Sequence, residues 1–189
     1  FSHNKETLRQ KLAIKAAKRL NCPVIYLNQV GGNDELIFDG ASFVVDSQGL
    51  PSLALPRCRE EIQIWEPDSP RKQSTLPLSA RQEQLFQVLV LGVKDYATKC
   101  GFDSALIGLS GGIDSALVTI IAAAALGPEK VTTVLMPSPW SSTSSVEDAL
   151  ELAKRLGVHT KTVPINSLME SYDSALSIPL GKPPEGITA

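Results

Sequence analysis

The sequence predicts an α/β protein whose second half holds a parallel sheet, and three observations carry that prediction. From residue 79 onward, apolar segments of helical and of strand period alternate, and strands separated by helices join one sheet through right-handed crossovers. Before residue 66, short strand-like runs follow a single basic helix. Between these regions, "EPDSPRKQSTLP" combines prolines with charges and has no period, the composition of a connector. The expected organisation is therefore a first domain over 1–65, a linker over 66–78 and a second domain over 79–189.

Taken in order, residues 4–20 read as an amphipathic helix, with Leu8, Leu12, Ala16 and Leu20 as its apolar face. Lys5, Arg9, Lys11, Lys15, Lys18 and Arg19 form its solvated sides, and Pro23 ends it. The runs "VIYLNQV", "ELIFDG", "SFVVDSQG", "PSLALP" and "EEIQIWEP" read as strands separated by Gly-Gly, Asp-Gly and Gln-Gly turn signals. Residues 79–99 repeat at helical spacing through Leu85, Phe86, Leu89, Val93 and Tyr96, and Gly101 suits the stop. Then follow a strand in "SALIGL", a helix over 115–126, a strand in "KVTTVLM", a helix over 145–156 and a strand in "VHTKTVPI". Ser144-x-x-Glu147 matches a capping box for the later helix, so the serine-rich run is expected to start a helix and not to carry chemistry. Only three parallel strands are expected, and the pattern stops after "SYDSALSIPLG", so the second domain reads as incomplete. A first residue of Phe and a final "KPPEGITA" read as a piece of something longer.

Composition excludes several classes. With 189 residues, 43% of them apolar, the chain is long enough to bury a sizeable core, and disorder is not expected. A formal charge of −2 gives no footprint for nucleic acid. Cys22, Cys58 and Cys100 are widely spaced singles, which argues against a disulfide framework or a zinc site and for a reducing compartment. The longest apolar stretch, 116–126, is about half of the ~20 residues that a membrane span needs. The expectation is a cytoplasmic protein without membrane partners.

One interruption stands out. "LIGLSGGIDSALV" breaks an apolar run with Ser110-Gly111-Gly112-Ile113-Asp114-Ser115, between the end of a strand and the start of a helix. Open α/β sheets bind ligands at that place, glycines let the backbone curl around an anion, and a helix N-terminus adds about half a positive charge. The loop lacks the lysine of G-x-x-x-x-G-K-[ST] and the spacing of G-x-G-x-x-G. Asp114 would repel a polyphosphate unless a divalent cation stood between them, so Mg²⁺ bridging Asp114 to phosphate is expected, with the Ser110 and Ser115 hydroxyls donating to phosphate. The competing assignment is that Asp114 or Ser110 only caps the helix.

"LSGGIDS" resembles the signature of the N-type ATP pyrophosphatases. "LMPSPWSSTSSVEDALELAKRLGV" is similar to the corresponding segment of the NAD synthetases, and "YLNQVGGNDELIFDGASFVVDSQG" to the late part of the nitrilase-like glutaminase domain that precedes it in glutamine-dependent members. The resemblance to glutamine-dependent NAD synthetases covers nearly the whole chain. It implies the C-terminal part of a nitrilase-like α/β sandwich followed by the N-terminal part of a Rossmann-like, parallel-sheet ATP pyrophosphatase domain. It further implies a ligase that amidates deamido-NAD to NAD through an adenylate, with ATP and Mg²⁺ as cofactors, glutamine as ammonia source and a homo-oligomeric state. Gly108, Leu109, Ser110, Gly111, Gly112, Ile113, Asp114 and Ser115 would hold the ATP phosphates, Asp114 the metal, and Lys5 the glutamine carboxylate. Met136-Pro137-Ser138 would lie beside the nucleotide. Another glutamine-dependent ATP pyrophosphatase and a non-catalytic nucleotide-binding module are the alternatives.

The resemblance also implies a Glu-Lys-Cys trio upstream of Phe1, so no catalytic residue is expected among these 189 residues, which by themselves should be inactive in both reactions. Cys22, between a helix end and Pro23, is expected to be a small buried thiol and not the nucleophile. Asp34 and Glu35, adjacent in an extended segment, would point to opposite faces and could not share a substrate; the stretch suits a loop at the glutaminase pocket or a subunit contact. His159, alone in a strand, is expected to be structural.

Overall fold

A computed structural model describes residues 1–2, 5–67 and 81–180. The expected helix start at residue 4, most of the linker over 66–78, the expected helix start at residue 79 and the segment 181–189 lie outside the described residues. The chain forms two compact units, which divide between Gly101 and Phe102.

In the first unit, helix α1 (Lys5–Leu20) leads into β1 (Val24–Tyr26), β2 (Val30–Asn33), β3 (Leu36–Asp39), β4 (Phe43–Val45) and β5 (Pro51–Ala54). Strands β1, β4 and β5 make an antiparallel sheet in that order, while β2 and β3 form a separate hairpin. Helix α1 packs on the sheet through Ala13 and Ala17, whose small side chains let it approach Phe43 and Val45. Tyr26 stacks on Phe43 at 5.2 Å. The helix therefore uses a different face from the one that the leucine spacing predicts: Leu8, Leu12 and Leu20 are exposed. Helix α2 (Arg81–Cys100) packs on the hairpin, where Asp95 accepts the Gly32 amide at 2.7 Å and Gly92 lies against Ile37. Here too the buried residues are Val88 and Ala97, whereas Leu85, Leu89, Val93 and Tyr96 are exposed.

Three local expectations are corrected in this unit. Gly31-Gly32 is not a turn but lies within β2, where Gly31 adopts φ +125° and a Cβ would meet the Asp95 carboxylate. The turn falls instead on Asp34-Glu35, with Asp34 at φ +51°, so these exposed residues occupy a hairpin tip and not an extended segment. "EEIQIWEP" forms no strand; Ile62 and Ile64 are exposed, and Trp65 is tied to Ser52 Oγ at 2.8 Å.

The second unit begins with β6 (Ala105–Gly108), followed by α3 (Ile113–Leu126), a 3₁₀ turn (Pro128–Lys130), β7 (Val131–Leu135), α4 (Thr143–Leu156), β8 (His159–Thr162) and α5 (Asn166–Leu180). The strands form a parallel sheet in the order β6-β7-β8, as the alternating pattern requires. Helix α3 packs on β6 and β7 and α4 on β7 and β8. Val131, Leu135 and Leu109 meet alanines of both helices, Ala122 and Ala123 from α3 and Ala149 and Ala153 from α4. Glycine closes α4 as Gly157 at φ +71° in a left-handed cap, with Val158 N–H on Ala153 O. Helix α5 was not expected from the sequence. Helix α4 starts earlier than the capping box predicts: Ser142, not Ser144, is the N-cap, and its hydroxyl accepts the Ser145 amide at 3.1 Å.

Candidate functional site

The interruption at 110–115 lies where β6 ends and α3 begins, at the C-terminal edge of the parallel sheet. Leu109 fixes one end: it is buried, and its amide extends the ladder to Val134 O at 2.9 Å. From Ser110 the chain turns away from the sheet through Gly111, at φ +85°. Only glycine suits this position, because the left-handed backbone disfavours a side chain and a Cβ would be driven into the carbonyl of Ser145 at the start of α4.

Two serines brace the loop from inside. Ser115 Oγ donates to Gly112 O at 3.0 Å and accepts the Ser110 amide at 3.2 Å. With that hydrogen committed, the 3.0 Å contact between the two hydroxyls has Ser110 as donor, and Ser110 Oγ also accepts the Gly112 amide at 3.3 Å. The hydroxyls expected to donate to phosphate thus close the loop on itself.

What remains open is the backbone. The first intrahelical bond of α3 runs from Ala116 N–H to Gly112 O, and the N-cap, Gly112, provides no side-chain cap. Neither Ser110 nor Asp114 caps α3. Among the described residues, the amides of Gly111, Ile113 and Asp114 meet no acceptor, and Ile113 and Asp114 are exposed. These donors, together with the helix dipole, are suited to an anion. The Asp114 carboxylate has no hydrogen-bond or ion-pair partner among the described residues, and no group of three or more His, Cys, Asp or Glu able to hold a metal occurs among them. A single open carboxylate beside an anion cup fits Mg²⁺, which binds through one or two carboxylates plus substrate phosphates.

Beside the loop, between it and α4, lies a cavity of about 290 Å³ lined by Leu109, Ser110, Met136, Pro137 and Trp140 among others. Met136 and Pro137 therefore do come next to the loop. Trp140 carries no role predicted from the sequence; the available signal was a large aromatic residue within an otherwise small and polar turn.

The remaining candidates are not brought to this loop within its unit. Lys5 is the exposed first residue of α1, and its amide bonds Ser2 O at 3.1 Å. Cys22 is exposed, contrary to the expected burial, because it sits in the bend between α1 and β1. His159 pairs through its backbone in β8.

The first unit holds a second polar cluster, of opposite character. Asp39, 3% exposed, receives Arg9 at 3.2 Å and Asn28 at 3.1 Å on one oxygen and Arg57 at 3.1 Å on the other. Arg57 also reaches Glu6 at 2.7 Å. Burial, opposed by the Arg57 charge, pushes the neighbouring Cys58 thiol up to about 11, so it stays protonated and unreactive at neutral pH. Both Asp39 oxygens and both Arg57 terminal nitrogens are thus met by the fold, and no buried side-chain nitrogen or oxygen among the described residues lacks a partner.

No helix among the described residues is long and apolar enough to cross a membrane. Residues 85–180 match the model of the NAD synthase family. Over 95% of its length, the chain is 51% identical to a protein of Synechocystis sp. described as a glutamine-dependent NAD(+) synthetase, of which it covers 33%. The structure superposes with a TM-score of 0.91 on the glutamine-dependent NAD+ synthetase of Acinetobacter baumannii solved in complex with adenosine diphosphate, at 37% identity over 100% of this chain and 36% of that one. A glutamine-dependent NAD(+) synthetase of Cytophaga hutchinsonii, 19% identical, shares the fold with a TM-score of 0.81 over 97% of this chain and 37% of that one. The chain spans about a third of the length of the curated relatives it matches. A family match over half of its residues, across the sheet and loop described above, establishes that the chain belongs to the NAD synthase family.

Proposed function

We propose that this chain is part of a glutamine-dependent NAD synthetase, an ATP-dependent ligase that converts deamido-NAD to NAD. Residues 1–65 belong to a nitrilase-like glutaminase and residues 79–189 to a Rossmann-like ATP pyrophosphatase domain. The observation that carries the proposal is the loop at the end of β6, where the amides of Gly111, Ile113 and Asp114 meet no acceptor among the described residues while the hydroxyls are spent on holding it in shape.

In the reaction, a carboxylate oxygen of deamido-NAD attacks the α-phosphorus of ATP, pyrophosphate leaves, and ammonia released from glutamine then displaces AMP. Residues 108–115 hold the phosphates. Main-chain donors at Gly111, Ile113 and Asp114 meet the charge that grows on the departing pyrophosphate without having to reorganise, since Ser110 and Ser115 already brace them. Asp114 would hold Mg²⁺ against the phosphates, and the bound cation would neutralise part of the leaving group's charge. Lys5, exposed at the start of α1, meets the carboxylate of glutamine, and the protein works in the cytoplasm as a homo-oligomer.

The test is NAD formation by the full-length polypeptide that carries these residues, supplied with deamido-NAD, ATP and glutamine. Asp114→Ala should abolish most of the activity. Full activity of that variant would instead mark a non-catalytic module. Exchange of labelled pyrophosphate into ATP driven by a substrate other than deamido-NAD would mark a different ATP pyrophosphatase.

A further inference from the structure

The cavity beside the phosphate loop has an unusual wall. Leu109 and Leu135 are buried at its base, Met136, Pro137 and Val146 line its sides, and Trp140 stands at its edge with 68% of its surface exposed. An indole so exposed contributes little to a core. Nor is the turn that carries it loose. Ser141 N–H bonds Ser138 O at 3.1 Å, Ser138 N–H bonds Ser141 Oγ at 2.9 Å, and Trp140 N–H bonds Ser138 Oγ at 3.3 Å. Ser142, the next residue but one, is pinned as the cap of α4. The turn carrying the indole is thus closed by its own hydrogen bonds, so seating a flat ligand there would cost little loop ordering.

Size and position narrow the ligand. At about 290 Å³ the cavity sits at the lower end of small-molecule sites, which run from ~300 Å³, so it suits the nucleoside end of a nucleotide. Ser110 lines the cavity and also opens the anion-binding loop, which makes the base and phosphate positions contiguous. We propose that Trp140 stacks on the base of the nucleotide whose phosphates occupy residues 110–115, and so sets the affinity for its nucleoside end. This rests on the assignment of that loop to nucleotide phosphates.

Calorimetry on the full-length polypeptide separates the two claims, using ADP with Mg²⁺ and, in parallel, inorganic pyrophosphate with Mg²⁺. Trp140→Leu should weaken ADP by about tenfold or more, the effect of losing one base–aromatic stack, and leave pyrophosphate unchanged. Trp140→Phe, which keeps a ring, should recover most of the affinity. The fluorescence difference between the native protein and Trp140→Phe should change with ADP and not with pyrophosphate. Unchanged ADP affinity in Trp140→Leu would overturn the proposal, as would an equal loss for both ligands, which would make the indole a mere support of the loop. Failure of the native protein to bind either ligand would remove the phosphate site itself, and the stacking role with it.

Discussion

Two stretches of this chain have nearly the same composition and opposite fates. Asp39-Gly40-Ala41-Ser42 and Ser110-Gly111-Gly112-Ile113-Asp114-Ser115 each interrupt apolar sequence with glycine, aspartate and serine. In the first, Asp39 and Ser42 are buried, and the polar atoms are met from elsewhere in the unit: Arg9 comes from α1, Asn28 from the connection between β1 and β2, and Arg57 from beyond β5. In the second, Asp114 is exposed, and among the described residues no cation pairs with it and amides of the first helical turn have no acceptor. Composition does not separate the two. What separates them is whether the fold completes the polar shell itself or leaves it open.

The largest effect expected from this contrast lies in the closed cluster. Asp39→Ala leaves Arg57, whose side chain is 6% exposed, facing Glu6 alone and takes one of two acceptors from the Asn28 amide, which keeps Gly40 O. Breaking a buried ion pair by removing one partner costs about 3–5 kcal/mol, so denaturant unfolding of the full-length polypeptide should shift by that amount. Nucleotide affinity of the protein that remains folded should not change. A shift below about 1 kcal/mol, the value of an exposed pair, would mean that the cluster is solvated after all.

Second comes the open loop, where two adjacent glycines can be set against each other. Gly111 has φ +85° and the Ser145 carbonyl behind it, whereas Gly112 has φ −81° and nothing nearer to an added Cβ than Ser110 Oγ at 3.4 Å. Gly111→Ala should displace the loop and weaken ADP about a hundredfold, equivalent to ~2.7 kcal/mol. Gly112→Ala should stay within a few-fold. Equal losses would show that the space behind Gly111 does not shape the cup.

The order of strands and helices from residue 102 to 162 was legible because α3 and α4 each bury alanines and end at a glycine, Gly127 and Gly157; α5, none of whose described side chains is buried, was not. The same features placed the 110–115 loop on the correct edge of the sheet. Face selection in α1 and α2 was not legible. Both helices carry two apolar stripes, and the one that packs is the narrower: Ala13 and Ala17 lie close to Phe43, and Gly92 close to Ile37, while the leucines stay outside. Periodicity reports that a face is apolar, not which neighbour it meets. "EEIQIWEP" has strand alternation but no partner strand, and alternation without a hydrogen-bonding neighbour does not make a sheet. Within the site, the residues behind the loop were hidden because Ser145 acts through its carbonyl oxygen, which no residue type advertises.

A smaller effect, and one with a change of sign, is expected at Asp114. Its carboxylate has no ion-pair partner among the described residues, so near a phosphate it is repulsive by itself and attractive only through a cation. Asp114→Asn should weaken ADP about tenfold in the presence of Mg²⁺, ~1.4 kcal/mol, yet strengthen it slightly in the presence of chelator. Calorimetry under both conditions reads the crossing. The same change in both would place the cation elsewhere and leave Asp114 as an ordinary exposed carboxylate.

The smallest effect belongs to Ser142, which touches the loop only indirectly. Its hydroxyl caps α4 by accepting the Ser145 amide, and the Ser145 carbonyl is the wall against which Gly111 rests. Ser142→Ala removes the cap at a cost of ~1 kcal/mol, visible as a modest fall in melting temperature. Its effect on ADP measures how far the cup depends on α4. If the Ser110–Ser115 bridge holds the loop by itself, affinity stays within twofold of native while stability falls. A parallel loss of affinity and stability would make the start of α4 part of the receptor, and the open loop would then be completed by its own fold on one side, as Asp39 is on every side.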